Sequence, residues 1–426
     1  MKLFQQMLVA GASLSLIAPI AAQASDAVNL EELNSYARNQ KSSSRIDSKS
    51  FINEVSEDLA NLKGRVDGLE ARQNEFEAGS FSDTTTLDGK AIFTVGSVDT
   101  EDATNLSEGY TGQVMAAYTY QMNLNSSFTG DDNLYIRLKS GNHDSWSDHK
   151  TSYNTYVSAA NGNADFLKVD KIWYTTPIGE RQTIWIGPKI ENYYMHGTTP
   201  SIYKPVLKAF TLGGNGAAYG ASTSPGAGWA YTADNGFAVS SNFTSKGGNT
   251  AGMLTEEGDT SWATQVGYTQ PQYSISAILN MKYGGWTDSY FMSTDGKARP
   301  GDGNSTNIGL RGWWRPESTG TATPSISVGY DTSETDGTGN TNTNAYFVGL
   351  TWQDIFNADD RIGIAFGQPQ KHEDDTIDPF LYEVYYDYKI NDSVTVTPTI
   401  FGGTSKNAAG TEVDMTGYLV NTTFKF

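Results

Sequence analysis

The side chains best suited to catalysis or metal binding in this sequence are its four histidines, since it contains no cysteine. They are His143, His149, His196 and His372. The first two share one predicted loop with Asp144 and Asp148, and such a group could bind a divalent ion, although loop residues of these types are usually just solvated. The sequence has no HExxH, G-x-S-x-G or Walker motif. We therefore predict neither catalysis nor a resident metal.

Acidic pairs in predicted loops form a second candidate site. Carboxylates grouped in this way can bind Ca²⁺ and bridge lipid headgroups, but solvated charge at loop tips is the simpler interpretation. Loop-bound Ca²⁺ is thus the one cofactor that the sequence leaves open. The groups are Asp131-Asp132, Asp359-Asp360 and Glu373-Asp374-Asp375.

Several charged residues lie in stretches where polar and apolar side chains alternate. Arg137 and Lys139, for example, flank Leu138. Successive side chains of a strand point to opposite faces, so such charges share a polar face. Around a water-filled lumen, basic residues would attract anions and mixed charges would create a transverse field, or they would only keep the wall hydrated. The pore-lining candidates on these faces are Arg137, Lys139, Lys189, Arg311, Arg315, Glu383 and Asp387.

Lys204 and Lys208 complete the pore-lining candidates and lie in a different setting. The segment that carries them, Glu191 to Pro225, is too long for a tight turn and is rich in Gly and Pro. We expect this segment to fold into the lumen and to narrow it.

Alternating segments of about ten residues recur throughout residues 81–426. Short turns such as Asn391-Asp392 separate some of them, and long polar loops such as Gly141 to Asp165 separate others. This asymmetry is typical of outer-membrane barrels, whereas a soluble sandwich has less reason for it. Residues 81–426 therefore predict an all-β transmembrane fold, an antiparallel barrel of about 16 strands.

Aromatic residues cluster at the ends of these segments. Two interfacial girdles of a membrane barrel would use aromatics in this way, while a buried aromatic core is the alternative for any one cluster. The clusters are Trp173-Tyr174, Tyr193-Tyr194, Trp313-Trp314, Trp352, and Tyr385-Tyr386 with Tyr388.

The last nine residues, Tyr418 to Phe426, alternate strictly and end the chain on an aromatic. This pattern resembles the C-terminal assembly signal of Gram-negative outer-membrane proteins, in which Phe424 and Phe426 would be read by the barrel assembly machinery. A terminal strand of a soluble sheet would show the same alternation.

The N-terminal part, residues 1–78, has sequence patterns other than the alternation of residues 81–426. Residues 1–24 read as a secretory signal with a charged start, an apolar run and a small-x-small cleavage site, and residues 25–50 read as a flexible periplasmic segment. Residues 51–78 carry a seven-residue repeat that predicts a coiled-coil helix and self-association, or else one amphipathic helix packed on its own domain. The seam is Ile52, Val55, Leu59, Leu62, Val66, Leu69, Gln73 and Phe76.

Composition narrows the classes further. The formal charge of −19 argues against a nucleic-acid partner, which needs a basic surface. The mean hydropathy of −0.45 is too polar for a helical membrane protein. After the signal, no stretch is apolar enough for a membrane helix, so a membrane crossing would use strands.

Three stretches resemble cyanobacterial outer-membrane porins, which are related to the carbohydrate-selective OprB-type porin family. They are LANLKGRVDGLEARQNEFEAGSFSDTTTLDGKAIF (59–93), KIWYTTPIGERQTIWIGPKIENYYM (171–195) and DYKINDSVTVTPTIFGG (387–403). The resemblance implies a homotrimeric barrel in the outer membrane of a Gram-negative-type bacterium, a cyanobacterium, with a periplasmic coiled coil. It also implies passive diffusion of ions and small solutes. Members usually carry an S-layer-homology domain, for which residues 25–50 are too short, so direct peptidoglycan binding is not predicted.

The sequence leaves two other classes open. A secreted β-rich carbohydrate-binding protein would be soluble without detergent, and a trimeric surface adhesin would share the coiled coil but would not need about 16 strands in one chain. The preferred solute is open too. Sugars would want aromatic surfaces in the lumen, whereas the basic candidates would favour inorganic anions.

Overall fold

The computed structural model describes Lys63 and residues 84–426, apart from 101–111, 149–154, 215, 220–222, 256, 285, 287–302, 337–341, 374 and 407–410. The predicted signal (1–24), flexible segment (25–50) and, but for Lys63, coiled-coil helix (51–78) therefore lie outside the described residues. Among the described residues, no helix is long and apolar enough to cross a membrane.

Sixteen antiparallel strands in the described residues close into one barrel, in which each strand pairs with its sequence neighbours and β1 pairs with β16. The predicted fold class is confirmed. The strands are β1 (Thr85–Thr100), β2 (Met115–Ser126), β3 (Asn133–Gly141), β4 (Lys168–Ile178), β5 (Gln182–Ile190), β6 (Ser224–Thr232), β7 (Phe237–Lys246), β8 (Asp259–Thr269), β9 (Tyr273–Tyr283), β10 (Ser305–Trp314), β11 (Ser325–Thr335), β12 (Asn342–Gln353), β13 (Arg361–His372), β14 (Phe380–Lys389), β15 (Val394–Lys406) and β16 (Glu412–Lys425).

The two faces of the barrel wall follow the alternation in the sequence. In β9, Ile275 and Leu279 point outward and are exposed, whereas Asn280 and Lys282 point inward and are fully buried. A closed barrel satisfies every backbone hydrogen bond between its own strands, and an apolar outer face can then contact lipid. The alternation thus produces a wall that is apolar outside. Its inner face is polar in some places and apolar in others, where Phe347, Leu381 and Phe401 pack in one cluster with Leu207 and Phe210 of the connection between β5 and β6.

The connections differ in length at the two ends of the barrel. Residues 179–181, 233–236 and 270–272 form short turns at the end where β1 begins and β16 ends. Residues 142–167 and 191–223 form long connections at the opposite end. In outer-membrane barrels the short turns lie on the periplasmic side.

Two of the acidic pairs stabilise short turns. The Asp132 carboxylate accepts hydrogen bonds from the backbone amides of Phe128 and Thr129 and from the Tyr174 hydroxyl, all within 2.8 Å. Burial would raise the pKa of Asp132, but these hydrogen bonds outweigh burial and lower it far below its usual range. Asp360 repeats the arrangement in the turn between β12 and β13.

The Asp132 and Asp360 carboxylates were candidate ligands for Ca²⁺. Their oxygens instead accept hydrogen bonds that organise the turns. Within the part of the chain that the structure describes, no group of three His, Asp, Glu or Cys side chains could hold a metal ion. Asp132 and Asp360 thus act as turn-stabilising residues, which is a finding about their role that the sequence did not predict.

Where β1 pairs with β16 to close the barrel, Gly89 contacts Phe426 closely. Phe426 pairs with Gly89 through two backbone hydrogen bonds, and its ring stacks on Tyr120 across that glycine. A Cβ at Gly89 would lie 2.6 Å from the Gln121 carbonyl oxygen and 2.7 Å from the Phe426 ring. Gly89→Ala should therefore destabilise the barrel by about 1–3 kcal/mol, measured as a lower temperature of unfolding by heat-modifiable gel mobility.

Gly312→Ala is the matched control for this prediction. A Cβ at Gly312 would meet its nearest neighbours at 3.5 Å and 3.7 Å, which are ordinary contacts. Equal stability of the two variants would contradict the role of close packing at the closure. The role of Phe424 and Phe426 in assembly stays a prediction.

Candidate functional site

The connection between β5 and β6 comprises residues 191–223 and is here called the inner segment. Its described residues lie inside the barrel. Inward side chains of distant strands bind its backbone. Gln265 of β8 bonds both the amide and the carbonyl of Thr198, and Gln370 of β13 accepts a hydrogen bond of 2.9 Å from the Ala217 amide. The inner segment therefore crosses the lumen, as its length and composition predicted.

Glu383 of β14 provides the densest of these contacts. Its carboxylate accepts hydrogen bonds from the Tyr203 hydroxyl at 2.9 Å, the Val206 amide at 3.2 Å and the Leu207 amide at 2.6 Å. The side chain faces the interior, as predicted, but it is fully buried under the inner segment. Glu383 thus binds the segment to the wall instead of facing open water.

Arg311 of β10 was also predicted to line the pore, and it is likewise buried under the inner segment. Its guanidinium pairs with Asp331 at 2.7 Å, donates to the Leu212 carbonyl at 2.8 Å and lies 4.8 Å from the centre of the Tyr219 ring. The side chain has no exposed surface. The inner segment covers it, so Arg311 does not line an aqueous passage.

The described part of a second connection, residues 142–167, packs against the inner segment. Val157 forms a bridge with Leu207, and the Ser158 amide donates to the Val206 carbonyl at 2.7 Å. His143 in this connection is buried beside Ser147, and burial together with the charge of Lys139 lowers the pKa of His143 to about 4. His143 is thus a neutral structural residue at pH 7, and its suggested partner His149 lies outside the described residues.

A cavity of about 430 Å³ remains between the inner segment, the second connection and strands β1 to β4. Its lining contains five basic residues and two acidic ones. The structure brings three of the predicted pore-lining residues together here, Arg137, Lys139 and Lys208. The charged lining residues that were not among the pore-lining candidates are Lys90, Asp170, Lys171 and Glu191, and the lining also contains Tyr193 and Tyr194.

A β-bulge explains why Asp170 and Lys171 escaped detection. The pairing of β3 with β4 shifts between Arg137 and Leu138, so that Asp170 is an extra residue in β4. A bulge redirects side chains, and here two successive residues reach the same cavity. Asp170 pairs with Arg137 through a hydrogen bond of 2.5 Å, and Lys171 pairs with Glu191. Strict alternation would have assigned these two neighbours to opposite faces.

A row of aromatic rings borders the cavity. The ring centres of Tyr135 and Trp173 lie 4.3 Å apart, those of Trp173 and Tyr194 4.8 Å, and those of Tyr193 and Tyr194 4.6 Å. Trp173, Tyr193 and Tyr194 were expected in interfacial girdles, and that prediction is wrong. The rings lie inside because the β4 face that carries Lys171 also carries Trp173, and because the inner segment carries the two tyrosines.

The other predicted pore-lining residues lie away from this cavity. Lys189 pairs opposite Ile172 beside a register shift and donates to the Val169 carbonyl at 2.8 Å. Arg315 is exposed in the turn after β10, and its guanidinium donates to the Pro271 carbonyl. Lys204 is exposed on the inner segment, and Asp387 pairs with Arg361 farther along the wall.

Part of this chain is similar in sequence to two uncharacterised proteins. An uncharacterised protein of Nostoc sp. is 32% identical over 173 residues, which cover 38% of this chain and 28% of the relative. An uncharacterised protein of Synechocystis sp. is 31% identical over 143 residues, which cover 33% of this chain and 25% of the relative. The match thus spans only about a quarter of each relative's length.

Solved structures share the fold. OprB of Pseudomonas putida superposes with a TM-score of 0.55 at 13% identity, covering 80% of this chain and 94% of that one. An anion-selective porin from Comamonas acidovorans gives 0.53 at 13% identity, covering 80% and 99%. The sequence model of the carbohydrate-selective porin, OprB family, matches residues 45–401. The chain therefore belongs to the OprB family of carbohydrate-selective porins.

Proposed function

We propose that the protein is an outer-membrane porin through which sugars, other small hydrophilic solutes and ions diffuse passively. The observation that carries the proposal is the closed barrel, whose lumen the inner segment crosses and which holds a polar cavity of about 430 Å³ beside that segment. Family and fold both indicate a channel. Flux then follows the solute gradient, and the size and charge of the constriction set selectivity.

The lining of the cavity supports two kinds of solute. Aromatic rings offer apolar faces with polar edges, which suits the mixed surface of a sugar. Five basic residues against two acidic ones favour anions locally, although the whole chain has a formal charge of −19. Charges in a narrow passage lie closer to a passing ion than charges on the outer loops do. The excess of basic residues in the cavity therefore decides ion selectivity.

Self-association belongs to the same proposal. The seven-residue repeat in residues 51–78 supports a homotrimer held by a periplasmic coiled coil. Lipid on the apolar outer face and the barrel assembly machinery at the C-terminal strand are the other proposed partners. A single chain closes the barrel, which disfavours an adhesin whose barrel needs several chains.

Planar-bilayer recording of the detergent-extracted protein tests this function. We expect stepwise openings with ohmic current, in groups of three for a trimer, and a reversal potential of anion-selective sign in a KCl gradient. Sugars added to the bath should reduce the current as they occupy the constriction. A protein that stays soluble without detergent and never conducts would favour the secreted carbohydrate-binding alternative.

A further inference from the structure

We propose that the cavity between β1 to β4 and the inner segment is a binding site for sugars that carry an anionic group, either a phosphate or a carboxylate. The inference rests on the proposed function and names the class of solute that its constriction prefers. Its main residues are Lys90, Lys139, Tyr193 and Tyr194, all of which line the cavity.

The charges in the cavity divide into those with ionic partners and those without. Arg137 pairs with Asp170, and Lys171 pairs with Glu191, so both acidic groups of the lining are already bound to cations. Among the described residues, neither Lys90 nor Lys139 forms an ion pair. Lys139 instead donates to the Ala160 carbonyl at 3.3 Å. An anionic ligand would give these two ammonium groups the charged partner that the protein does not supply.

Strand register places the two lysines in one row. Lys90 of β1 pairs opposite Gln121 of β2, and Gln121 pairs opposite Lys139 of β3. Neighbouring strands lie about 4.8 Å apart, so the two lysine backbones are separated by roughly 10 Å. Both side chains point into the cavity from either side of Gln121. A phosphate or carboxylate above Gln121 can therefore be reached by both ammonium groups and by the amide.

The tyrosines supply the surface for the sugar ring. Tyr194 is fixed between Trp173 and Tyr193, with ring centres 4.8 Å and 4.6 Å away. The Lys171 ammonium lies 4.4 Å from the centre of the Tyr194 ring, which further orders it. A cavity of about 430 Å³ suits a ligand of one or two sugar rings. A neutral sugar would use only the tyrosines and an inorganic anion only the lysines, whereas an anionic sugar uses both.

The test is block of single-channel current by four probes at constant ionic strength: glucose, inorganic phosphate, glucose 6-phosphate and glucuronate. We expect the two anionic sugars to reach half-block at concentrations about tenfold or more below those of glucose and of phosphate, because charged hydrogen bonds add to ring packing. Lys139→Gln and Lys90→Gln should each weaken block by the two anionic sugars much more than block by glucose, and so remove most of that preference. Tyr194→Ala should weaken block by all three sugars.

Lys189→Gln is the matched control, since it removes one lysine charge away from the cavity, and all variants are first checked for heat-modifiable gel mobility. Equal block by glucose and by the anionic sugars would overturn the inference while leaving the porin function intact. Block by phosphate as strong as that by glucose 6-phosphate, unchanged in Tyr194→Ala, would identify a simple anion site and overturn it too. A complete lack of channels would overturn the proposed function and this inference together.

Discussion

Glu383→Ala should convert the narrow pore into a wider and noisier one. The substitution leaves the Tyr203 hydroxyl and the Val206 and Leu207 amides without their buried acceptor. Leaving buried donors unpaired costs about 1–3 kcal/mol each, which is enough to release this part of the inner segment from the wall. Bilayer recording should show a higher conductance with more open-channel noise, and liposome swelling should show faster entry of large sugars.

Two further variants in β14 distinguish the effect of the hydrogen bonds of Glu383 from the effect of its charge. Glu383→Gln keeps one carbonyl oxygen as an acceptor and should have a smaller effect. Asp387→Asn changes another inward carboxylate of β14, which contacts Arg361 and Thr397 on the wall. It should leave the conductance unchanged. An increase of equal size in Asp387→Asn would show that the charge of the wall, and not the position of the inner segment, sets the conductance.

The double variant Lys90→Glu/Lys139→Glu should reverse the ion selectivity of the pore. The cavity has five basic and two acidic residues, so the two replacements leave three basic and four acidic ones. Charges at a constriction act within about one Debye length, roughly 10 Å at 0.1 M salt, so this local change is strongly felt by a passing ion. The reversal potential in a KCl gradient should change sign from anion-selective to cation-selective.

Lys189→Glu/Lys389→Glu is the control for this reversal, because it makes the same change of formal charge outside the cavity. Lys189 donates to the Val169 carbonyl, and Lys389 pairs with Asp359 and Asp392 near a short turn. The control should retain anion selectivity. Equal shifts of the reversal potential in both double variants would mean that total charge, and not the cavity lining, governs selectivity.

The amino-acid sequence by itself determined the architecture of the barrel. Period-two alternation predicted strands with one apolar and one polar face, and β9 shows this separation apart from Ile278, an apolar residue on its buried inward face. The alternation of short turns and long connections predicted the two different ends. These features depend on backbone geometry and local hydrophobicity, which neighbouring residues specify among themselves.

The sequence also predicted part of the cavity lining. Arg137, Lys139 and Lys208 do line one cavity, and the length of the connection after β5 predicted the inner segment. Arg311 and Glu383 lie in stretches with the same alternation of polar and apolar residues, but both side chains are buried against the inner segment. The pattern specifies that a side chain faces the interior, but it does not specify what covers that side chain.

Tertiary structure alone decided which inward charges face water. Glu383 meets the Leu207 amide across 176 residues of sequence, and Arg311 meets the Leu212 carbonyl across 99. One bulge in β4 brings Asp170 and Lys171 into the same cavity. Contacts of this kind arise only when closure of the sheet brings distant strands around one segment, so no local periodicity can encode them.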